Sequence, residues 1–183
     1  MTPIVHAALG CGSHAPSSAY DGAMLVALRA THENLDLSQL DTLTRGAEHL
    51  GHVIERMNAQ AADGAEAGGV GEPPLAGWAV MATCNRLEIY LDARRFHDGV
   101  DVAAHAVAAT SGLDVADVTA DLEVAVGPPV AQHLYEVTSG LRSIVLGEAE
   151  VSGQVRTAFE NALAVGPGDR FRGAARCARR RGG

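Results

Sequence analysis

The order of hydrophobic patterns along the chain predicts an α+β fold built on one antiparallel sheet. Short segments with alternating apolar residues, typical of strands, are interleaved with segments whose apolar residues recur every three or four positions, typical of helices. The order is strand, helix, strand, strand, helix, strand, and two further helical patterns follow. Because this is the order of the split βαβ arrangement, we expect a ferredoxin-like βαββαβ sandwich followed by two helices.

The predicted sandwich occupies residues 24–127. Residues 1–23 contain scattered glycine, serine and proline without periodicity, and we expect them to form an irregular extension. Met24, Val26 and Leu28 then alternate within an apolar run, which predicts the first strand.

One long amphipathic helix is predicted after this strand. Six apolar residues recur at steps of three and four: Leu40, Leu43, Ala47, Leu50, Ile54 and Met57. Ser38 is the expected N-cap, with Asp41 as its capping-box partner three residues on. Residues 59–77 are rich in alanine and glycine, which predicts a flexible loop.

A β-hairpin is predicted next. Trp78, Val80 and Ala82 alternate, and so do residues 87–91, with only Thr83-Cys84-Asn85-Arg86 between the two segments. Two alternating segments this close together are typical of a hairpin with a short tip.

The remaining elements are predicted from the same two periodicities. A helix is expected from about Val100 to Ser111, ending at Gly112, and a last strand over residues 122–126. Pro128-Pro129 begins a helix at a position that proline tolerates. A final helix is expected over residues 151–163, so residues 128–164 form a helical part and residues 165–183 a disordered basic tail.

Composition indicates a globular chain in a reducing setting. The 183 residues are 47% hydrophobic and 20% charged, which is typical of a folded protein. The three cysteines, Cys11, Cys84 and Cys177, are far apart and odd in number, which speaks against a disulfide framework. The apolar runs are shorter than the roughly 20 residues of a membrane span, and no basic leader precedes them. We therefore expect a cytosolic protein.

The charge is unevenly distributed. The 14 basic residues, all arginine, and 22 acidic residues give a net charge of −8. Residues 165–183 hold six of the arginines and one aspartate, so the remainder carries 8 basic and 21 acidic residues, a net charge of −13. A body this acidic excludes nucleic-acid binding by general phosphate attraction, which needs clustered positive charge.

The predicted hairpin tip carries the residues best suited to catalysis or ligand binding. A thiol at Cys84 would project at one sheet edge, where Arg86 could favour the nucleophilic thiolate. The Arg86 guanidinium could instead bind a carboxylate in bidentate fashion. From spacing alone, the alternative is that Cys84 is a small buried hydrophobe and Arg86 a solvated charge.

Two sequence blocks resemble a known family. Ala82-Thr83-Cys84-Asn85-Arg86-Leu87-Glu88-Ile89-Tyr90 resembles a signature of the glutamyl-tRNA reductases, which begin five-carbon tetrapyrrole synthesis. The block from His133 to Glu148, continuing to Gly153-Gln154-Val155, resembles the second N-terminal signature of that family. The blocks occur in the right order and separation, and the resemblance covers roughly residues 24–164.

The resemblance implies a cysteine-based mechanism. Cys84 matches the nucleophile that attacks the ester of glutamyl-tRNA and leaves a thioester, which NADPH would reduce to glutamate-1-semialdehyde. His133 matches a histidine suited to acid/base chemistry. Further residues match contacts to the bound glutamate: Thr83, Asn85, Arg86, Ser143, Glu148, Ala149, Glu150 and Gln154. The implied partners are glutamyl-tRNA(Glu), a second copy of the whole enzyme and glutamate-1-semialdehyde aminomutase.

The chain departs from the family pattern in three ways. Arg142 stands where the family usually has an acid, and Glu150 where it usually has a glutamine. Third, no GxGxxG dinucleotide fingerprint follows a predicted strand. We therefore expect this chain to lack the reduction step, with residues 165–183 read out of frame or otherwise truncating a longer reductase. The alternative is a basic tail that touches RNA.

Two other functions are compatible with the sequence. The strand order is shared with RNA-recognition motifs, which stack bases on exposed aromatic residues, and here the strands offer chiefly Trp78 and Tyr90. A thiol hydrolase or acyltransferase on the same scaffold is a further alternative. No metal is expected, because His49 and His52 belong to no ligand motif and are expected to face solvent.

Overall fold

The computed structural model describes residues 24–63 and 71–138. This part of the chain has mixed α/β architecture, with one four-stranded antiparallel sheet and five helices. The elements in chain order are β1 (Met24–Thr31), α1 (Leu37–Leu43), α2 (Ala47–Asp63), β2 (Leu75–Thr83), β3 (Arg86–Ala93), α3 (Phe96–Ser111), α4 (Val115–Asp121), β4 (Glu123–Val126) and α5 (Pro128–Thr138). None of these helices is long and apolar enough to cross a membrane. The predictions for residues 1–23, 151–163 and 165–183 lie outside the described residues.

The four predicted strands and the hairpin are confirmed. The strand order is β2-β3-β1-β4, and every neighbouring pair is antiparallel. Arg86 lies opposite Thr83 in β2 and opposite Thr31 in β1. The hairpin tip is therefore the two-residue turn Cys84-Asn85, and the end of β1 lies beside it.

One face of the sheet packs against four helices and forms the main hydrophobic core. Because side chains alternate along a strand, Leu87, Ile89 and Leu91 of β3 all point to this face. They pack with side chains from α2 and α3, including Ile54 and Val107. Each fully buried aliphatic side chain of this kind contributes about 1.5–3 kcal/mol relative to an exposed one.

The opposite face of the sheet is covered by α5. Ala27, Ala79 and Tyr90 pack there against Val130 of this helix. All eight residues of β3 are buried, so the strand is covered on both sides. Two polar side chains that alternate with these apolar residues contact α5: Tyr90 packs with Val130, and Glu88 is hydrogen-bonded to His133.

The predicted N-cap at Ser38 is wrong. Helix α1 begins at Leu37 and is capped by Asp36, whose carboxylate accepts a hydrogen bond from the Gln39 backbone N–H at 2.9 Å. The Asp36 backbone N–H donates in return to the Gln39 side chain at 3.0 Å, which completes a capping box. Ser38 donates to the Asp36 carboxylate instead, and these hydrogen bonds lower the pKa of Asp36.

The prediction of one long helix is also wrong, because the chain turns between α1 and α2. Gly46 has φ +70, a left-handed conformation that disfavours any side chain. A Cβ at this position would lie 3.0 Å from the carbonyl oxygen of Thr110, at the end of α3. The apolar spacing continues across this turn, which is why the pattern suggested a single helix.

The predicted loop over residues 59–77 is wrong at both ends. Helix α2 continues to Asp63 and strand β2 begins at Leu75, while residues 64–70 lie outside the described part. The buried side chain of Asn58 in α2 is hydrogen-bonded to the backbone of Leu75 at the start of β2. Its Nδ2 donates to the Leu75 carbonyl at 3.0 Å, and its Oδ1 accepts from the Leu75 N–H at 2.9 Å.

The later helices are largely as expected. Helix α3 begins at Phe96, four residues before the predicted start, and ends before Gly112, which adopts φ +78. The start of α5 at Pro128 is confirmed. The short helix α4 was not predicted, since only Val118 of its seven residues is buried and no periodicity is visible.

Candidate active site

The hairpin tip presents an exposed thiol. Cys84 is free and solvent-exposed. The Thr83 hydroxyl accepts a hydrogen bond from the Asn85 N–H at 3.2 Å, and the Asn85 carbonyl accepts one from the His32 N–H at 3.0 Å. The tip is thus anchored to the residue that follows β1. The alternative in which Cys84 is a buried hydrophobe does not hold.

Arg86 lies beneath the tip and is buried. Only 4% of the residue is exposed, so it is not a solvated strand-end charge. Its Nη1 donates to Oε1 of Glu88 at 3.0 Å. Thr83 and Thr31 lie opposite Arg86 on the two neighbouring strands. The predicted residues Thr83, Cys84, Asn85 and Arg86 are therefore brought together at one edge of the sheet.

Glu88 is the centre of a buried polar cluster with Arg86, Tyr90 and His133. It is completely buried, and it accepts hydrogen bonds from Nε2 of His133 at 2.9 Å and from the Tyr90 hydroxyl at 2.5 Å. Because a carboxylate only accepts, Nε2 of His133 carries a proton. Nδ1 of His133 is buried and has no hydrogen-bond partner within the described residues.

The cluster changes the acidity of its members in opposite directions. Burial alone would raise the pKa of Glu88, but the hydrogen bonds from His133 and Tyr90 and the neighbouring positive charge of Arg86 bring it below its ordinary value. Burial and the Glu88 charge raise the pKa of Tyr90. The cluster therefore favours an ionised Glu88 beside a neutral Tyr90.

In the structure, His133 is hydrogen-bonded to Glu88. Strands rise about 3.3 Å per residue, so the Cα atom of Glu88 lies roughly 7 Å from that of Arg86 and farther from the tip. The contact of His133 is with this carboxylate, on the face covered by α5. The other predicted contacts, Ser143, Glu148, Ala149, Glu150 and Gln154, lie outside the described residues, as does Arg142.

Sequence reasoning missed the roles of Glu88 and Tyr90. Both belong to the block of residues 82–90 that resembles the family signature, but no function is predicted for either from the sequence. The available signal was the spacing of Arg86, Glu88 and Tyr90, which places one acid between two donors on a single strand face. A strand face of this kind is usually solvated, and nothing in the pattern placed α5 over it.

Comparison with known proteins identifies the family. The model of the N-terminal domain of glutamyl-tRNAGlu reductase matches residues 28–178. The chain belongs to this family. The glutamyl-tRNA reductase of Clavibacter michiganensis is 35% identical over 150 residues, which cover 78% of this chain and 30% of that protein. That of Staphylococcus saprophyticus is 45% identical over 80 residues, covering 44% and 18% respectively.

A solved structure has a similar fold. Glutamyl-tRNA reductase from Methanopyrus kandleri superposes with a TM-score of 0.57 at 24% identity, covering 85% of this chain and 33% of that one. The chain thus spans a third or less of the length of the reductases it matches.

The described part of this glutamyl-tRNA reductase domain offers no fit for a nicotinamide dinucleotide. Such a site needs a glycine-rich turn between a strand and a helix, where backbone N–H groups meet the pyrophosphate. The connections from strand to helix here are residues 32–36, residues 94–95 and Gly127, and they contain a single glycine in total. Nor do the described residues include a group of three metal-ligating side chains.

Base stacking on the sheet is not favoured either. Trp78 and Tyr90 are each only 3% exposed, Trp78 in the main core and Tyr90 beneath α5. RNA-recognition motifs need such aromatic rings on an open sheet face. Both aromatic candidates for that alternative function are enclosed.

Proposed function

We propose that this chain is the catalytic, glutamate-recognising part of a glutamyl-tRNA reductase, with Cys84 as its nucleophile. The observation that carries the proposal is the exposed Cys84 thiol at a hairpin tip, two residues before the buried Arg86 at the start of β3. Strand order β2-β3-β1-β4 supports the ferredoxin-like arrangement expected for residues 24–127, followed by a helical part over residues 128–164. Membership of the family supports the substrate class.

The reaction assigned to Cys84 is acyl transfer from oxygen to sulfur. The thiolate attacks the carbonyl carbon of the ester that joins glutamate to the terminal ribose of the tRNA. A carbon–sulfur bond forms and the carbon–oxygen bond to the ribose breaks. The ribose oxygen leaves with a proton, and the glutamyl group stays on Cys84 as a thioester.

Arg86 is proposed to recognise the side-chain carboxylate of the substrate. A guanidinium is planar and can donate to both oxygens of a carboxylate, which an amide or hydroxyl group cannot match. Thr83 and Asn85 flank it in the structure, and by the family resemblance Ser143, Glu148, Ala149, Glu150 and Gln154 complete the glutamate site. The same resemblance assigns His133 a part in the reaction.

The reduction is assigned to NADPH by the family resemblance alone. Bound NADPH would supply the hydride that converts the thioester to an aldehyde, glutamate-1-semialdehyde. The described residues do not fit a dinucleotide, so no part in the reduction is assigned to them. By the same resemblance, the substrate is glutamyl-tRNA(Glu), the whole enzyme is a homodimer, and glutamate-1-semialdehyde aminomutase takes the product.

Capture of a labelled acyl group tests this function. Incubating the chain with tRNA that carries labelled glutamate should leave label on the protein, released by hydroxylamine as expected of a thioester. Cys84→Ser should retain little or none of it, because a serine hydroxyl is not ionised near neutral pH. The measurement is the labelled fraction of protein after denaturing gel filtration.

Alkylation provides the matched control. Wild-type protein treated first with iodoacetamide should behave like Cys84→Ser, with an unchanged circular dichroism spectrum. Equal capture by Cys84→Ser and wild type would refute Cys84 as the nucleophile. Equal capture of unrelated aminoacyl esters would instead indicate a thiol acyltransferase of broad specificity.

A further inference from the structure

We infer that Glu88 is a positioning residue, which holds the Arg86 guanidinium in the orientation that recognises the substrate carboxylate. His133 and Tyr90 act through Glu88 by fixing its carboxylate. This inference rests on the proposed function, because Arg86 is assigned to the substrate there.

The geometry fixes the Glu88 carboxylate at both oxygens. Oε1 accepts from Nη1 of Arg86 at 3.0 Å and from Nε2 of His133 at 2.9 Å, while Oε2 accepts from the Tyr90 hydroxyl at 2.5 Å. The donors belong to two elements, β3 and α5, which meet on this face of the sheet. A carboxylate held from two elements cannot rotate, so the long side chain of Arg86 is directed by a fixed partner.

The fold alone does not call for charges at this place. Apolar side chains also lie between the sheet and α5, namely Ala27, Ala79 and Val130, and Arg29 of β1 lies opposite Glu88 in the strand register. Replacing a buried ion pair by apolar residues of similar volume is often neutral or stabilising, so such a pair is weak evidence for a purely structural role. The cluster begins with Arg86, next to the hairpin tip. A guanidinium of fixed orientation at this place can bind the substrate carboxylate.

The position of His133 agrees with this assignment. Its Nε2 proton is engaged with Glu88, on the buried side of the sheet. A histidine in acid/base chemistry on the thiol or the leaving ribose needs a nitrogen within hydrogen-bond reach of the reacting atoms. Through Nε2, His133 is therefore assigned to orientation of the Glu88–Arg86 pair.

The first experiment observes Arg86 directly and needs no reaction. Arginine side-chain NMR of the full chain, with the Arg86 signal assigned by its loss in Arg86→Lys, reports whether the guanidinium rotates. We expect restricted rotation in the wild type and averaged signals in Glu88→Gln. The matched control is Glu55→Gln, which removes an exposed charge from α2 on the other face of the sheet and should leave the Arg86 signal unchanged.

The second experiment measures specificity. The rates of acyl capture from glutamyl-tRNA and from glutaminyl-tRNA are compared for each variant. A misdirected Arg86 loses its preference for a carboxylate over an amide, so Glu88→Gln should lower the glutamyl-to-glutaminyl ratio by about 30-fold, as expected for loss of a buried charge partner. A merely structural disturbance would lower both rates together and leave the ratio unchanged. In an Arg86→Lys background, Glu88→Gln should change the ratio no further.

Milder variants keep the inference open to refutation if Glu88→Gln does not fold. Tyr90→Phe and His133→Asn each remove one hydrogen bond to Glu88 and keep its charge. Both should therefore increase the rotation of the Arg86 guanidinium and partly lower the glutamyl-to-glutaminyl ratio. Unchanged Arg86 rotation together with an unchanged ratio in these variants would overturn the inference. A wild-type chain that captures no acyl group contradicts the proposed function instead, and the NMR result still decides the role of Glu88.

Discussion

At the scale of single residues, Glu88 links the stability of the fold to pH. Its pKa in the folded chain lies below the ordinary value of 4.5: burial opposes this shift, while hydrogen bonds from His133 and Tyr90 and the charges of His133 and Arg86 produce it. A carboxyl group whose pKa falls on folding adds stability above its unfolded pKa, and this stability is lost as pH falls through the folded value. The acid side of the stability profile should therefore depend on this residue.

We predict that Glu88→Gln lowers the free energy of unfolding at pH 7 by about 3 kcal/mol, because it removes a charged hydrogen-bond partner of the buried Arg86. Glutamine resembles protonated glutamate, so the difference from wild type should shrink as pH falls below 4.5. Urea unfolding at pH 7, 5 and 3.5 measures it.

The control for this prediction is again Glu55→Gln, whose side chain is more than half exposed. An exposed ion pair contributes about 0–1 kcal/mol, so this variant should stay close to wild type at each pH. A difference for Glu88→Gln that stays constant from pH 7 to 3.5 would contradict the assignment of the acid-side stability to Glu88.

Residues at the tip and in the buried cluster were not equally predictable. Cys84 and Arg86 could be placed at a hairpin tip because two strong alternations leave no other site for them. Glu88 could not be placed, because a charged residue in an alternating strand is usually solvent-facing. Its burial depends on α5, which packs over the sheet from 40 or more residues later in the chain.

At the scale of elements, the turn between α1 and α2 depends on one glycine. We predict that Gly46→Ala lowers stability by about 1–2 kcal/mol, because an L-residue at φ +70 is strained. Its Cβ would also lie 3.0 Å from the Thr110 carbonyl oxygen. The free energy of unfolding in urea is the measurement.

Gly51, five residues on, is the matched control. It lies within α2, and a Cβ there would meet only Nε1 of Trp78 at 4.0 Å, an ordinary contact. Gly51→Ala should therefore stabilise the chain by about 0.5–1 kcal/mol through the lower entropy of the unfolded state. Effects of the same sign for the two substitutions would show that the turn at Gly46 is not strained by a side chain.

Element types were predictable where periodicity was strong, whereas most element ends were not. The four strands, the hairpin and the end of α3 at Gly112 follow from local pattern and capping preferences. The break at Gly46 is set by the close approach of α3, a tertiary contact that no local pattern contains. The cap at Asp36 was missed because Asp36 and Ser38 are both good N-cap residues, and the deciding partner was Gln39.

At the scale of the whole molecule, the charge distribution separates recognition of the acyl group from attraction to RNA. The chain outside residues 165–183 carries a net charge of −13, which repels a polyanion. In the proposed function, the amino-acid end of the substrate is bound by Arg86, a buried residue next to the hairpin tip. Within this chain, we expect any attraction to the phosphates to come from the arginines of residues 165–183.

We predict that these arginines account for the salt dependence of tRNA binding. Each phosphate contact contributes about 0.7–0.9 to the slope of log affinity against log salt, so neutralising Arg179, Arg180 and Arg181 together to glutamine should flatten the slope by about 2. Fluorescence anisotropy with labelled tRNA from 50 to 200 mM KCl measures the slope, and neutralising Arg45, an exposed arginine of the α1–α2 turn, is the control. Because the acyl group is held by a separate site, the triple variant should keep its glutamyl-to-glutaminyl capture ratio. An unchanged slope would place the phosphate contacts on the acidic body, against its net charge.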